Sequence, residues 1–250
     1  MHCRFSTLFC PEAKKLCVSS FFTVFACLFF LSEPCRANSP PTLYIYNPSY
    51  TKAHAMQKKI GAICPSLEVH VYGKAKDFKK HVLSSAPDAT ISLPDVIKPY
   101  TVYKTLLEGQ REQSQLESYY LVSLGNALSV SELSKKKIGV IDLLGRKAMR
   151  AFIRSLLGDV AIKRVGKAED LLPLLNFNGA DALFISDSDL TDLKEVTRLK
   201  LKVTRTDIRL GLPVVSYLKQ SDRDVISDCV SRFDPVVNSY LRVEKWRKAL

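Results

Sequence analysis

From Thr42 onward the chain alternates short runs of β-type residues with stretches whose apolar positions recur at helical spacing. Thr42-Leu-Tyr-Ile-Tyr46 reads as a first strand, ended by Asn47-Pro48-Ser49, a turn and helix-cap cluster. Met56, Ile60 and Ile63 then fall at i, i+4 and i+7, one face of a helix. Leu67 to Tyr72 alternates as a second strand, Lys74 to Ser85 is helical around Phe78 and Val82, and Ala89 to Ser92 is a third short strand. This βαβαβ order predicts a parallel sheet with helices packed on its faces.

The rhythm changes at Tyr100. Tyr100 to Leu107 and Glu117 to Leu124 are strand-like runs separated by the polar stretch Glu108 to Leu116, which suits a hairpin or a crossover between lobes. The βα alternation then resumes. Lys137 to Ile141 reads as a buried strand. Met149, Phe152, Ile153, Leu156 and Leu157 form a helical stripe within Arg146 to Leu157, with Gly158 as C-cap. Ala161 to Val165 and Ala182 to Ile185 read as strands. Between them lies a helix, Lys167 to Leu175, that Pro173 shortens or kinks, and Asp187 to Glu195 is helical. Pro213 to Leu218 is a late strand, followed by a helix carrying Ile226, Cys229, Val230 and Phe233 and, beyond Pro235, helical rhythm from Val236 to Trp246. One βα set precedes the break and a second follows it, so the pattern predicts an α/β protein of two small lobes, each a mainly parallel sheet with flanking helices.

Composition changes this picture mainly at the N-terminus. Of seven cysteines, five (Cys3, Cys10, Cys17, Cys27 and Cys35) fall in the first 35 residues. Arg4, Lys14 and Lys15 precede the uncharged apolar stretch Leu16 to Leu31, shorter than the ~20 residues of a spanning helix, and Cys35-Arg36-Ala37 supplies small residues at −3 and −1. Residues 1–37 therefore read as a cleavable secretory signal, with a membrane anchor as the alternative, and export to the periplasm is expected. Setting aside its four basic and two acidic residues leaves 33 Lys/Arg against 23 Asp/Glu. A basic surface attracts anions, but the charges are dispersed and an exported chain is not expected to meet nucleic acid. No CxxC or Cys/His cluster suggests a metal or cofactor.

The segments SELSKKKIGVIDLLGRKAMRAFIRSLLG and VGKAEDLLPLLNFNGADALFI resemble the second lobe of type 2 periplasmic solute-binding proteins, most specifically around Gly179-Ala180-Asp181-Ala182. LYIYNPSYTKAHAM is similar to the opening strand and helix of the first lobe of that family, and LGLPVVSYLKQSD to the return strand. The resemblance implies a two-lobed fold joined by two crossover strands, with residues 41–100 plus 206–250 in the first lobe and 101–205, crossover strands included, in the second. It also implies a small-molecule ligand held between the lobes, and a partner that is either an inner-membrane ABC permease or a membrane sensor.

Ligands of open α/β sheets bind beyond the carboxyl ends of strands, where helix N-termini present free N–H groups. That rule nominates Asn47, Ser49 and Tyr50 after the first strand, Ser92 and Asp95 after the third, Asp142, Gly145 and Arg146 at a second-lobe strand end, and Asp187 after the ALFI strand. Arg146, a guanidinium beside free N–H groups, suits a carboxylate or phosphate, and with the basic balance it points to an anionic or zwitterionic ligand. Asn47, Ser49, Asp95 and Asp187 equally suit turn or helix capping. Tyr100, Tyr103, Tyr119 and Tyr120 offer aromatic cleft walls or sheet packing. Leu143-Leu144 stands where phosphate-binding members of the family carry hydroxyls. Cys64 and Cys229 both fall in the first lobe and are either a disulfide, which export permits, or two buried thiols. No catalytic motif occurs around His54, His70 or His81, so the chain is expected not to be an enzyme. An interaction protein with a lost or narrowed solute site, and a secreted α/β enzyme, are the alternatives.

Overall fold

Alternation in Thr42–Tyr46 (β1) sends Leu43 and Ile45 to one face of a sheet and Tyr44 and Tyr46 to the other. A computed structural model describes residues 39–249; the expected leader, residues 1–37, lies outside the described residues. After β1 come α1 (Ala53–Ile63), β2 (Glu68–Tyr72), α2 (Ala75–Ser85), β3 (Ala89–Ser92), the single turn α3 (Pro94–Ile97) and β4 (Lys104–Gln110). The second set comprises β5 (Leu116–Ser123), β6 (Lys137–Ile141), α4 (Arg146–Leu157), β7 (Ala161–Val165), α5 (Leu171–Asn176), β8 (Ala182–Ser186), α6 (Asp187–Val196) and β9 (Lys202–Gly211). The chain closes with β10 (Val214–Tyr217), α7 (Arg223–Ser231), α8 (Pro235–Tyr240) and β11 (Lys245–Lys248).

Two sheets result, one of order β11-β4-β10-β3-β1-β2 and one of order β7-β6-β8-β5-β9. Each repeats one plan. Its first strand pairs in parallel with the next two (β1 with β2 and β3; β6 with β7 and β8), and the strand arriving from the other lobe, β10 or β5, joins antiparallel beyond the third. The expected α/β two-lobe architecture is therefore present. Because a parallel sheet must be covered on both faces, Leu43 and Ile45 pack with Met56, Ile60, Ile226 and Val230 beneath α1 and α7, whereas Tyr44 and Tyr46 join Phe78 and Val82 in an apolar cluster that continues into the second lobe.

Sheet membership moves both boundaries of the first lobe. β4 hydrogen-bonds within the first sheet and β9 pairs with β5 in the second up to Gly211, so the first lobe extends past residue 100 to Gln110 and resumes only at Val214. The runs on either side of Glu108 to Leu116 are thus a crossover and not a hairpin. β9 escapes sequence notice because it is an edge strand whose charged residues, Lys202, Arg205, Asp207 and Arg209, break the apolar alternation. The helical reading of Val236 to Trp246 is corrected: α8 stops at Tyr240, Arg242 adopts a left-handed φ of +62°, and Lys245–Lys248 turns into β11 on the free edge of β4.

Cys64, the C-cap of α1, is bonded to Cys229 of α7 across a Cα–Cα distance of 5.2 Å. Both lie in the first-lobe core and are fully buried. Their separation of 165 residues encloses the whole second lobe, and closing a loop of that length is worth about 5 kcal/mol in the chain-entropy picture.

Candidate functional site

The N-terminus of α6 is built by Ser186, whose hydroxyl accepts the Asp189 N–H at 3.1 Å and donates to Asp189 Oδ2 at 3.0 Å. This cap starts the helix as β8 ends and sets Asp187, Ser188 and Asp189 on the first turn, facing the first lobe. Glu117 of β5, 6% exposed, accepts the Ser188 N–H at 2.8 Å. Two guanidinium groups meet these acids. Arg111, in the crossover after β4, contacts Asp187 Oδ2 at 2.9 Å, Glu117 Oε1 at 3.3 Å and the Ser188 hydroxyl. Arg242, from the first lobe, places Nη2 2.6 Å from Asp189 Oδ1 and 3.6 Å from Asp192 Oδ2, with its side chain only 12% exposed.

Four carboxylates thus face two guanidiniums at the lobe junction, an acidic locus in a basic protein. Burial works against the charge on Arg242, but Asp189, Glu117 and Asp192 together outweigh it and hold the guanidinium above its ordinary pKa. Burial also raises the Asp192 carboxyl, with Arg242 only partly opposing it. The Tyr46 and Tyr50 hydroxyls are pushed up by burial and then by Asp189. Among the described residues neither hydroxyl has a hydrogen-bond partner, nor does Arg242 Nε.

Behind this polar cluster is a cavity between the lobes, walled by Leu93 of the first lobe and by Ile141, Leu143, Met149, Phe152 and Phe184 of the second, with Tyr46 and Tyr119 at its polar corner. Its volume is ≈ 40 Å³. On the outer side, an open crevice of ≈ 680 Å³ runs between α6 and α8, lined by Ser49, Thr51, Thr191, Asp192, Ser239 and Glu244. Arg242 borders both spaces.

Solved structures share this architecture. XAC2383 from Xanthomonas citri bound to ATP superposes with a TM-score of 0.60 at 11% identity, over 84% of this chain and 91% of that one. The amino acid ABC transporter substrate-binding protein AbpA from Streptococcus pneumoniae, bound to L-arginine, gives 0.57 at 13% identity, over 82% and 97%. The BvgS VFT2 domain of Bordetella pertussis gives 0.56 at 8% identity, over 81% and 91%. The fold is that of the type 2 periplasmic binding proteins. No protein-family model and no curated protein sequence matches the chain, so the likeness is one of fold.

In a type 2 fold the cleft lies where the sequence rule put it, but the nominated residues divide. Asn47 borders the cavity, yet its amide donates to Tyr240 O at 2.8 Å and to Ser49 Oγ at 2.9 Å, a tie between the β1 loop and α8. Ser49, which also accepts the Thr51 N–H, borders the outer crevice, and Tyr50 packs against the shared apolar cluster. Neither Asn47 nor Ser49 caps α1, whose N-cap is Lys52. Ser92 is fully buried within β3, and Asp95 faces a separate surface hollow with Lys98 and Tyr100. Asp142 is held within its own lobe, accepting the Gly145 N–H at 2.7 Å and pairing with Arg164. Gly145 starts α4 at a φ of +82°, a value only glycine adopts freely. Arg146 is exposed and borders neither the cavity nor the crevice; the side chain that enters the cavity from that loop is Leu143. Asp187 is engaged by Arg111 and follows the cap rather than forming it.

Asp189, Glu117, Arg111 and Arg242 were not nominated. Two carried a signal. Glu117 shares strand parity with Tyr119 and Leu121, an acid on an apolar face, and Ser186 with Asp189 has the spacing of a capping box. Arg242 had none beyond its place between Leu241 and Val243.

Proposed function

We propose that this is an exported, periplasmic solute-binding protein that acts by binding and not by catalysis. It captures a small ligand between its lobes and presents the closed form to an inner-membrane ABC permease or a membrane sensor. The observation that carries the reading is the acid-rich junction of Asp187, Asp189, Asp192 and Glu117 in front of an apolar interlobe cavity. Neighbours of this fold bind ligands as different as L-arginine and ATP, so the side chains of this cleft decide the class. With Arg146 outside the cleft, the basic balance loses its link to the ligand. The acids favour a zwitterion or a cation with an apolar body over an anion.

The test is a thermal-shift series with amino acids, polyamines, phosphonates and organic acids, since a ligand that binds only the folded state raises its stability. Amine-bearing solutes should raise the midpoint of the wild type and leave Asp189→Asn unmoved; stabilisation by anions alone would reject the reading. A second reading, an interaction protein with a narrowed site that regulates a membrane signalling partner, is favoured by the ≈ 40 Å³ size of the cavity. It predicts that a membrane sensor domain stabilises the protein while no solute does.

A further inference from the structure

Arg242 is fixed from behind. Leu241 and Val243, 1% and 4% exposed, are embedded in the first-lobe core, and the left-handed backbone between them carries the intervening side chain away from that core and across to α6. A left-handed φ is unfavourable for a residue with a Cβ and persists where the surroundings impose it. The guanidinium then forms the contact between Leu241–Val243 of one lobe and Asp189 of the other, and its stem stands between the inner cavity and the outer crevice.

The pairing is incomplete on the arginine's side: both Asp189 oxygens are bonded, Oδ1 by Arg242 Nη2 and Oδ2 by the Ser186 hydroxyl, whereas Arg242 Nη1 reaches only Ser186 Oγ at 3.5 Å. Arg242 Nε has no acceptor, Asp192 is 3.6 Å away, and the Tyr46 and Tyr50 hydroxyls beside the pair are unsatisfied. A salt bridge evolved only for stability would gain little from such an arrangement, because desolvation of a buried pair offsets most of its attraction unless the remaining valences are met. The same arrangement suits a site whose polar groups are shaped for a cation that comes and goes.

We propose that Arg242 is a tethered occupant of a cation subsite: its guanidinium takes the place at Asp189 and Asp192 of the cationic head of a diffusible guanidinium or primary amine, and so holds the lobes together in the absence of that ligand. The proposal rests on reading the cleft as a ligand site. It adds that the natural ligand competes with an internal one, and that withdrawal of Arg242 joins the ≈ 40 Å³ cavity to the ≈ 680 Å³ crevice. A ligand with an apolar tail then reaches Leu143, Phe152 and Phe184 while its head meets Asp189. A site occupied by its own tether for nine-tenths of the time or more binds a free competitor about tenfold or more weakly than the emptied site does.

The test combines small-angle X-ray scattering with calorimetric titration of methylguanidinium and butylguanidinium. Arg242→Ala should enlarge the radius of gyration, bind butylguanidinium at least ~10-fold more tightly than the wild type, prefer it to methylguanidinium, and return to the wild-type radius when saturated. Arg242→Lys, which keeps a cation, should stay closed, and Asp189→Asn should open without gaining uptake; these two keep the question decidable if Arg242→Ala does not fold. An Arg242→Ala or Asp189→Asn protein with the wild-type radius, or an open Arg242→Ala that takes up neither probe, overturns the tether. The two readings fail separately. A wild type that no natural solute stabilises, beside an Arg242→Ala that takes up butylguanidinium, upholds the tether and rejects solute capture. Solute binding by the wild type, with no change in radius or uptake on removing Arg242, does the reverse.

Discussion

Asp88 shows how single residues fix the end of the first sheet away from the cleft. Its carboxylate accepts the Thr42 N–H at 2.9 Å and the Thr42 hydroxyl at 3.1 Å, and Lys219 Nζ lies 3.3 Å from the other oxygen, so the starts of β1 and β3 are joined to the end of β10. Burial pushes this carboxyl up, but the Thr42 and Lys219 bonds together more than offset it and hold its pKa below the usual range. The sign follows from linkage. A carboxyl whose folded pKa is depressed contributes stability above its unfolded value, near 3.9, and loses it as pH falls through the folded value. Asp88→Asn should therefore cost about 1–2 kcal/mol at pH 7, read as a lower urea midpoint, and the gap from the wild type should shrink below about pH 4. A gap of the same size at pH 7 and pH 2.5 would show that the charge is irrelevant there. Ligand affinity should not change, because the cleft lies at the opposite, carboxyl ends of β1 and β3.

At the scale of elements, the lobe junction depends on close backbone approach. Gly109 of β4 donates its N–H to Pro213 O at 2.9 Å, and a Cβ added there would stand 2.8 Å from that oxygen and collide with Val243 Cγ1. Backbone cannot give as a side chain tip can, so Gly109→Ala should destabilise by about 2–3 kcal/mol, measured by chemical denaturation; a loss under about 0.5 kcal/mol would mean the crossover is loose. How much of this was legible in sequence depends on what each element buries. β1, β3, β6 and β8 are covered on both faces and announce themselves as apolar runs, and α4 carries its stripe at each step. β9 and β11 lie on sheet edges, where pairing is set by tertiary position and not by side-chain pattern. The cleft was legible as a place and not as a residue list. The strand-end rule points to the α6 start, and Asp187 lies two residues before the buried Asp189, on the same turn. Arg242 enters from a turn whose position depends on α8 stopping at Tyr240, a packing outcome that no local pattern encodes.

The molecule as a whole is one lobe inserted into another, and the cystine sits on the two sides of the insertion. β4 leaves the first lobe at Gln110 and β10 returns at Val214, while Cys64 and Cys229 flank that excursion. If the second lobe opens, the two halves of the first are still joined through α1 and α7, so its sheet need not close a long flexible loop to persist. Without the bond that closure cost falls on the first lobe, at about 5 kcal/mol for the enclosed length. Hydrogen exchange in moderate urea should therefore show the second lobe opening before the first in the oxidised protein. Reduction, or Cys229→Ser, should lower protection of β1, β3 and β10 by roughly 10³- to 10⁴-fold, with a much smaller loss in β6 and β8. The interlobe contacts of Arg242 and Arg111 are few beside the two cores, so they set the angle between the lobes more than they merge their unfolding. Equal loss of protection in both lobes would show instead that the apolar cluster running through the cleft makes the molecule a single cooperative unit, and that closure is part of the folded state itself.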